Sequence, residues 1–226
     1  MVAIDRFRTT TPHLTIITSE LVHDYSTNSS STKHSLLCHF TRLENLESIL
    51  NYGLLPTDWL NRNRIVSIRN DQARFDRTTG ICATVSFPNY KLFWPFRSDN
   101  PGTEWVVLRI KAEVLWQKNC AFCVRNAAHN DVSGVPLPLR QTTEAFQAMF
   151  NDFPGVPRAG LNIPDRYTTN PQAEVLILEP VEPDDIDAII FDDAALRRKY
   201  AAMNLQQQVL HNHAYFSARK DFDKWK

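Results

Sequence analysis

Residues 170–178 read Asn-Pro-Gln-Ala-Glu-Val-Leu-Ile-Leu, and they decide how the rest of the chain is interpreted. The apolar run Val175–Leu178 predicts a buried strand, because it is continuous and two of its residues are β-branched. Pro171 fits only at the mouth of such a strand, since it cannot donate a hydrogen bond within a sheet. Glu174 stands immediately before the run. Its carboxylate is either a solvent-facing strand end or a group held at an open cleft, since glutamate is rarely buried without a partner.

The composition is that of one well-buried globular domain. The chain has 226 residues, 43% of them hydrophobic, and its 25 basic and 25 acidic residues cancel. Any binding to phosphates must therefore come from a local patch. No apolar run approaches the length of a membrane span, and the N-terminus lacks the residue order of an export signal. We therefore expect a cytoplasmic protein with no membrane contact and with its four cysteines as thiols.

We divide the chain into an N-terminal arm and one folded domain. Residues 1–33 contain threonine and serine clusters around short apolar patches, which indicates a partly flexible arm. Residues 34–226 form the single domain. Within it, Cys120 and Cys123 have the spacing of a zinc or redox pair, but no second cysteine or histidine pair accompanies them. We therefore predict no metal site.

The first strand of the domain is predicted at residues 36–40 and leads directly into a helix. Thr41-Arg42-Leu43-Glu44 has the pattern of a capping box. Apolar residues then recur at helical spacing until Gly53 ends the helix, namely Leu43, Leu46, Ile49 and Leu50. This places His39 at a strand end just before helical N–H groups, where an imidazole could hydrogen-bond a ribose hydroxyl. A satisfied core histidine is the alternative.

The next stretch, residues 55–80, is polar and rich in arginine, with a short helix predicted at residues 70–76. Arginine forks suit a bidentate grip on phosphate, although a solvated surface would have the same composition. The arginines are Arg62, Arg64, Arg69, Arg74 and Arg77. Residues 90–96 contain four aromatic side chains. Aromatic residues at that density usually build core, but beside an arginine-rich loop they could also stack on bases.

The remaining elements follow from apolar runs and helical spacing. Strands are predicted at residues 81–87, 104–110, 120–124 and 188–191. Helices are predicted at residues 143–150 and 194–210, with a brief one around Leu115. Proline and glycine break the rest of residues 126–167, and a loop of this length inside a compact domain is usually functional. The loop carries Arg140, Arg158 and Arg166 and leads onto Glu174.

Three motifs, in this order, resemble the DarT family of DNA ADP-ribosyltransferases, which are toxins of bacterial toxin–antitoxin pairs. They are His39-Phe40-Thr41 with the helix to Gly53, Asn70-Asp71-Gln72-Ala73-Arg74 before a strand, and Pro171-Gln172-Ala173-Glu174-Val175-Leu176. The likeness covers residues 36 to 192. It implies an α+β fold of the ADP-ribosyltransferase type, in which a split central sheet with flanking helices forms a cleft for NAD.

The resemblance also implies roles for individual residues. Glu174 is the expected catalytic glutamate, and Arg74 is the expected family arginine for catalysis and NAD binding, although Arg77 is close enough to take its place. The other residues expected to contact NAD as co-substrate are His39, Phe40, Thr41, Ser48 and Leu55, with Ser48 standing where the family has glycine. The residues expected to contact the nucleic-acid substrate are Gln172, Arg158 and Arg166.

The chemistry of the reaction agrees with these roles. Breaking the nicotinamide–ribose bond develops oxocarbenium character, which a fixed carboxylate stabilises. Glu174 could also accept a hydrogen bond from the ribose 2′-OH or take a proton from the incoming base. Gln172 lies two residues earlier, and we expect it on the same face of the strand, where its amide could orient the base.

We expect transfer of ADP-ribose from NAD to a base of single-stranded DNA, with release of nicotinamide. The strand at residues 81–87, followed by Pro88-Asn89-Tyr90, departs from the thymine-modifying branch of the family and favours guanine as the target. The alternatives are transfer to thymine, RNA or protein, and a nucleic-acid-binding module without catalysis. The family further implies a cognate antitoxin, an ADP-ribosyl glycohydrolase of the DarG type.

Overall fold

The computed structural model describes residues 36–69 and 79–225. The predicted arm at residues 1–33, the predicted helix at residues 70–76 and both Arg74 and Arg77 lie outside these ranges. The division into an arm and one domain therefore stays a prediction.

A central sheet forms the core of the described residues. Its strands are β1 (Leu37–Arg42), β2 (Ile81–Val85), β3 (Trp105–Ile110), β4 (Cys120–Cys123), β5 (Glu174–Ile177), β6 (Ile186–Phe191) and β7 (Gln208–His211). They are ordered β4-β5-β2-β1-β3-β6-β7 across the sheet. All neighbouring strands are antiparallel except β6 and β7, which are parallel.

Short helices flank this sheet. They are α1 (Leu46–Tyr52), α2 (Thr57–Asn63), α3 (Tyr90–Asp99), α4 (Val114–Gln117), α5 (Asn130–Ser133), α6 (Thr143–Ala148) and α7 (Ala194–Ala201). Single 3-10 turns occur at Leu43–Asn45, Leu137–Arg140, Arg158–Gly160, Pro183–Asp185, His213–Phe216 and Phe222–Lys224. None of the helices in the described ranges is long and apolar enough to cross a membrane.

The sheet opens between β1 and β2. β1 pairs with β3 along all six of its residues, but it pairs with β2 only at Leu37↔Val85 and Cys38↔Thr84. Beyond Cys38 the two strands diverge, so the second half of β1 faces β2 across a gap. This confirms the mixed fold with a split central sheet.

Both faces of the sheet are buried, but they are covered differently. One face packs against α1 and α6 in a single large cluster that includes Leu46, Ile49 and Phe146. The other face carries two smaller clusters, one around Phe93 of α3 and one around Leu176 of β5. Glu174 is two residues from Leu176 in β5 and so lies on this second face. The aromatic stretch at residues 90–96 is thus a helix whose Phe93 is core, as the first interpretation predicted, while Trp94 is exposed.

Two predictions about local structure are wrong. Thr41 does not open a helix by a capping box, because β1 stays paired with β3 as far as Arg42↔Trp105 and the chain then makes a 3-10 turn before α1. The predicted helix at residues 194–210 ends at Ala201, since Asn204 takes a left-handed conformation with φ of 51° and the chain returns as β7. The polar segment after Leu55 also contains α2, which the sequence analysis did not predict. This helix buries no residue, so its sequence lacks the regular spacing of apolar residues by which a helix is recognised.

Gly53 is a position where the fold requires glycine. It ends α1 with φ of 78° and ψ of −172°, and its N–H donates to the Ile49 carbonyl. A Cβ there would lie 2.1 Å from the Val181 carbonyl oxygen, because Leu54 and Val181 form a bridge beside it. Gly102 has a similar φ of 86°, but a Cβ there meets nothing within 4 Å.

We predict that Gly53→Ala lowers the free energy of unfolding by clearly more than Gly102→Ala does. The positive φ alone should cost about 1–2 kcal/mol at either position. Only Gly53→Ala adds a backbone clash. Urea unfolding of the two variants measures the difference, and equal losses would show that the backbone at Val181 shifts to accept the methyl group at no cost.

Candidate functional site

A cavity of 340 Å³ opens where β1 and β2 diverge. Six of the residues expected to act in catalysis or NAD binding line it, namely His39, Phe40, Thr41, Ser48, Leu55 and Glu174, and so does Arg69 of the arginine-rich stretch. Asn45, Cys82, Ile68 and Asn126 complete parts of its wall. The described structure therefore brings the first and third sequence motifs, which are more than a hundred residues apart, to one cleft.

Glu174 is the first residue of β5 and is only 4% exposed. Its Oε2 accepts the backbone N–H of Ala127 at 2.8 Å, and its Oε1 accepts from Asn126 Nδ2 at 3.3 Å. The solvent-facing interpretation of this residue is therefore wrong. A buried carboxylate that accepts donors from a neighbouring segment has a fixed direction before any ligand binds.

Asn126 was missed by the sequence analysis. Its Nδ2 donates to Glu174, while its Oδ1 accepts the N–H of Ala128 at 2.9 Å. The second contact is a side chain-to-backbone turn of the kind that asparagine favours. An asparagine shortly after a predicted strand is a turn signal, but its contact with a residue 48 positions later has no local signature.

His39 bridges the gap in the sheet. Its Nδ1 lies 2.7 Å from the Cys82 carbonyl oxygen, and because a carbonyl can only accept, Nδ1 carries the proton in this contact. The ring thus replaces the ladder hydrogen bond that β1 and β2 do not make at this point. His39 is both a satisfied histidine and a cavity-lining one, so its two interpretations are not exclusive.

Asn45 ties the far wall of the cavity to α1. It is 6% exposed, and its Nδ2 donates to Thr41 Oγ1 at 3.0 Å and to the Ile68 carbonyl at 2.9 Å. Its Oδ1 accepts the Ile68 N–H at 2.8 Å. The side chain therefore pairs with Ile68 as a neighbouring strand would. The sequence analysis missed Asn45, since a polar residue inside an apolar helical stripe resembles a solvent-facing position.

None of the three predicted substrate contacts lines the cavity. Gln172 lies in the turn before β5, with its N–H donating to Asn170 Oδ1 at 2.9 Å. The expectation that Gln172 shares a strand face with Glu174 is wrong, because the strand begins only at Glu174. Arg158 and Arg166 do not line the cavity. Arg158 binds carbonyls of its own loop, and Arg166 lies over the Tyr167 ring at 5.3 Å.

The cysteine pair does not converge on a metal position. Cys120 and Cys123 are buried on opposite faces of β4, in different clusters. Cys120 donates to the Val114 carbonyl, and burial raises the pKa of its thiol. Cys123 receives a contact from Arg140, whose Nε has no hydrogen-bond partner within the described ranges. No group of three or more metal-ligand side chains occurs in residues 36–69 and 79–225.

Comparisons with known proteins agree with the resemblance. The family model described as "DarT: ssDNA thymidine ADP-ribosyltransferase, DarT" matches residues 38–217. No curated protein matches the chain. Among solved structures, Thermus sp. 2.9 DarT in complex with ADP-ribosylated ssDNA has a TM-score of 0.57 at 14% identity, covering 93% of this chain and 100% of that one. The same protein in complex with NAD+ has a TM-score of 0.52 at 13% identity, covering 81% and 97%.

A third structure is similar over a smaller share of its own length. Thermosipho africanus DarTG in complex with ADP-ribose has a TM-score of 0.49 at 17% identity, covering 80% of this chain and 50% of that one. The chain thus spans half the length of the Thermosipho protein. At these identities the solved structures show a common fold.

We predict that Asn45→Ala lowers the free energy of unfolding by about 2 kcal/mol, since it removes the hydrogen bonds to both backbone groups of Ile68 and to the buried Thr41 hydroxyl. The Ile68 amide should also exchange its hydrogen faster. Urea unfolding and hydrogen exchange measure the two effects. Asn51→Ala is the matched control, because Asn51 is an exposed asparagine of α1, the helix that Asn45 precedes, and its side chain bonds the Glu47 carbonyl. Equal stability of both variants would contradict the role of Asn45.

Proposed function

The chain belongs to the DarT family of ssDNA ADP-ribosyltransferases, and from this premise we propose that its cleft binds NAD+ and that Glu174 directs ADP-ribose to a base of single-stranded DNA. The family makes the chain an NAD-dependent transferase. The observation that supports the assignment of the site is the Glu174 carboxylate, which Ala127 and Asn126 hold at the cavity wall.

The cavity suits the NAD+ half of the reaction. Its volume of 340 Å³ is within the range of small-molecule sites. The Cys82 carbonyl sets the orientation of the His39 ring in advance, and Thr41 is held by Asn45, so both polar side chains are preorganised. Phe40 stacks on Phe93 and is fixed by the core. Ser48 and Leu55 complete this proposed surface, and Arg74 remains a proposed contact from the resemblance.

The proposed transfer needs one carboxylate in a fixed place. The bond between the ribose C1′ and the nicotinamide nitrogen breaks, and its electron pair leaves with the neutral nicotinamide. Glu174 stabilises the positive charge that develops on the ribose, and it can accept a hydrogen bond from the 2′-OH. A ring nitrogen of the base then forms the new bond to C1′, and its proton passes to Glu174.

We propose thymidine as the base, because the description of the family names it. Thymidine has one ring N–H, at N3, which supplies both the nucleophilic nitrogen and the proton. The guanine preference expected from the sequence has no support in the family description. It also relied on Gln172 facing the base from the strand, and Gln172 lies in the preceding turn instead. Gln172, Arg158 and Arg166 stay proposals as substrate contacts.

The biological setting is proposed from the resemblance alone. It supports a toxin that acts in the cytoplasm, where both NAD+ and DNA are found. Its partner would be a cognate antitoxin, an ADP-ribosyl glycohydrolase of the DarG type, that removes the ADP-ribose from the modified base. Transfer to RNA or protein, and binding without catalysis, are the alternatives that the experiments below separate.

We predict that Glu174→Gln lowers kcat for ADP-ribose transfer by about 100-fold or more, because the amide keeps the shape but loses the charge that the transition state needs. NAD+ affinity should change little, since the effect is confined to the transition state. Calorimetry and release of nicotinamide measure the two quantities. Glu179→Gln, at the other end of the β5 segment, is the control. Near-normal transfer by Glu174→Gln would remove this residue from the mechanism.

The base is identified by mass spectrometry. A mixed-sequence single-stranded oligonucleotide is incubated with the protein and NAD+, then digested to nucleosides. We expect ADP-ribose on thymidine. An adduct on deoxyguanosine instead would overturn the thymidine proposal in favour of the preference predicted from the sequence. An adduct on protein alone, or binding of DNA without consumption of NAD+, would overturn transfer to DNA altogether.

A further inference from the structure

A buried ion pair joins the last residues of the chain to the segment before β5. The Arg219 and Asp221 side chains are 2% and 0% exposed. Arg219 Nε donates to Asp221 Oδ1 at 2.9 Å, and Trp225 Nε1 donates to Asp221 Oδ2 at 2.8 Å. Burial acts to raise the pKa of Asp221, but the bonds from Arg219 and Trp225 outweigh it and hold that pKa below its usual value. Asp221 is therefore a carboxylate at neutral pH, and it faces the Arg219 guanidinium.

The same guanidinium holds two backbone carbonyls. Arg219 Nη1 donates to the Thr168 carbonyl at 2.9 Å, and Nη2 donates to the Thr169 carbonyl at 3.1 Å. A guanidinium has five N–H donors in a planar fork, so Arg219 can serve Asp221 and both carbonyls at once. Asp221 neutralises the buried charge of Arg219, and the N–H groups that Asp221 does not use hold the two carbonyls in place.

From Thr168 to Glu174 the chain is held by consecutive local hydrogen bonds centred on Asn170. The Asn170 carbonyl accepts from Thr168 Oγ1 at 2.9 Å and from the Ala173 N–H at 3.1 Å. Asn170 Oδ1 accepts the Gln172 N–H at 2.9 Å. Because each bond fixes the next turn of backbone, a shift at Thr168 is transmitted to the start of β5, where Glu174 lies.

A second arginine holds the preceding residues in the same way. Arg158 donates to the carbonyls of Tyr167 at 2.8 Å and Asp165 at 2.9 Å, and at 3.4 Å to that of Pro164. Arg219 also lies over the Tyr167 ring, 5.7 Å from its centroid. Residues 164–169 are thus held through their backbone by two guanidinium groups, one from the loop itself and one from the C-terminal segment.

We propose that Arg219 is a positioning residue for the transfer reaction, acting through the Thr168 and Thr169 carbonyls on the approach to Glu174. This inference rests on the proposed transfer to DNA. Arg219 lies beyond residues 38–217, the range that the family model matches. The C-terminal segment Arg219–Trp225 therefore adds a support for the catalytic glutamate from outside the matched range.

The alternative is that the C-terminal segment only adds stability. Trp225 packs edge-on against Phe153 at 5.5 Å, and its carbonyl accepts from Lys91 Nζ, so the segment contributes packing as well. The two roles predict different results for variants that weaken different parts of it. Trp225 bonds Asp221 and neither of the two carbonyls, whereas Arg219 bonds Asp221 and both carbonyls.

The test compares Arg219→Lys with Trp225→Phe in the full-length chain. A lysine ammonium keeps the charge but cannot span Asp221 and two carbonyls. We expect kcat for ADP-ribose transfer to fall by about 10-fold or more in Arg219→Lys, since small misplacements of reacting groups are costly. The Kd for NAD+ measured by calorimetry should stay within about two-fold of the wild type, and the Gln172 and Ala173 amides should exchange faster.

Trp225→Phe keeps the ring packing and the carbonyl contacts but removes one donor to Asp221. We expect its Tm to fall while kcat stays near that of the wild type. Lys220→Ala, at the exposed neighbour of Arg219, is the control for a substitution in this segment, and it should leave both kcat and Tm near those of the wild type. Parallel losses of kcat and Tm in both variants, or normal kcat in a folded Arg219→Lys, would overturn the positioning role. If the wild type transfers nothing to DNA, the proposed function fails, and exchange at Gln172 and Ala173 still tests the anchor.

Discussion

The early end of the pairing between β1 and β2 is the constraint on which the site depends. Backbone groups inside a protein must find partners, so strands that separate within a sheet need substitutes for the missing ladder bonds. Here the His39 ring bonds the Cys82 carbonyl across the opening, and Asn45 bonds both backbone groups of Ile68 at its far wall. The side chains that satisfy the opened backbone are thus the same ones that line the cavity.

The carboxylate of Glu174, the proposed catalytic group, is placed by a different part of the sheet. Glu174 begins β5 opposite Cys123, the last residue of β4, and the Asn126–Ala127 turn that follows β4 supplies its two donors. The first residue of a strand is held by its pairing with the neighbouring strand, while the chain before it leaves room for a cavity. Glu174 is therefore fixed by a neighbouring strand on its buried side and faces the cavity on the other, which is the arrangement that electrostatic stabilisation requires.

Whether a feature could be predicted from the sequence depends on how far apart in the chain the interacting residues lie. Apolar runs and helical spacing are local, and they predicted that β2, β3, β4 and β5 exist and that α1 ends at Gly53, although α1 begins later than predicted. Ordered motifs brought His39 and Glu174 to one site. The roles of Asn45, Asn126 and Arg219 were not predicted. Each makes hydrogen bonds to residues 23 to 51 positions away, and each resembles a surface polar residue in its own segment. Gln172 was predicted on the strand from the alternation of side chains between its two faces, but Gln172 lies in the turn that precedes β5.

The loop arginines have structural roles that residue type alone does not indicate. Arg158 was expected to contact the nucleic-acid substrate, and in the structure it donates to backbone carbonyls of its own loop. Arg219 of the C-terminal segment does the same for Thr168 and Thr169, and Arg140 is buried beside Cys123. A long segment without regular strands has many carbonyls that water cannot reach once it folds against a core. A guanidinium satisfies several of them with one side chain. The guanidinium groups of Arg158 and Arg219 therefore hold the backbone of this loop in one conformation. A reaction that depends on the positions of its reacting groups requires such a fixed backbone.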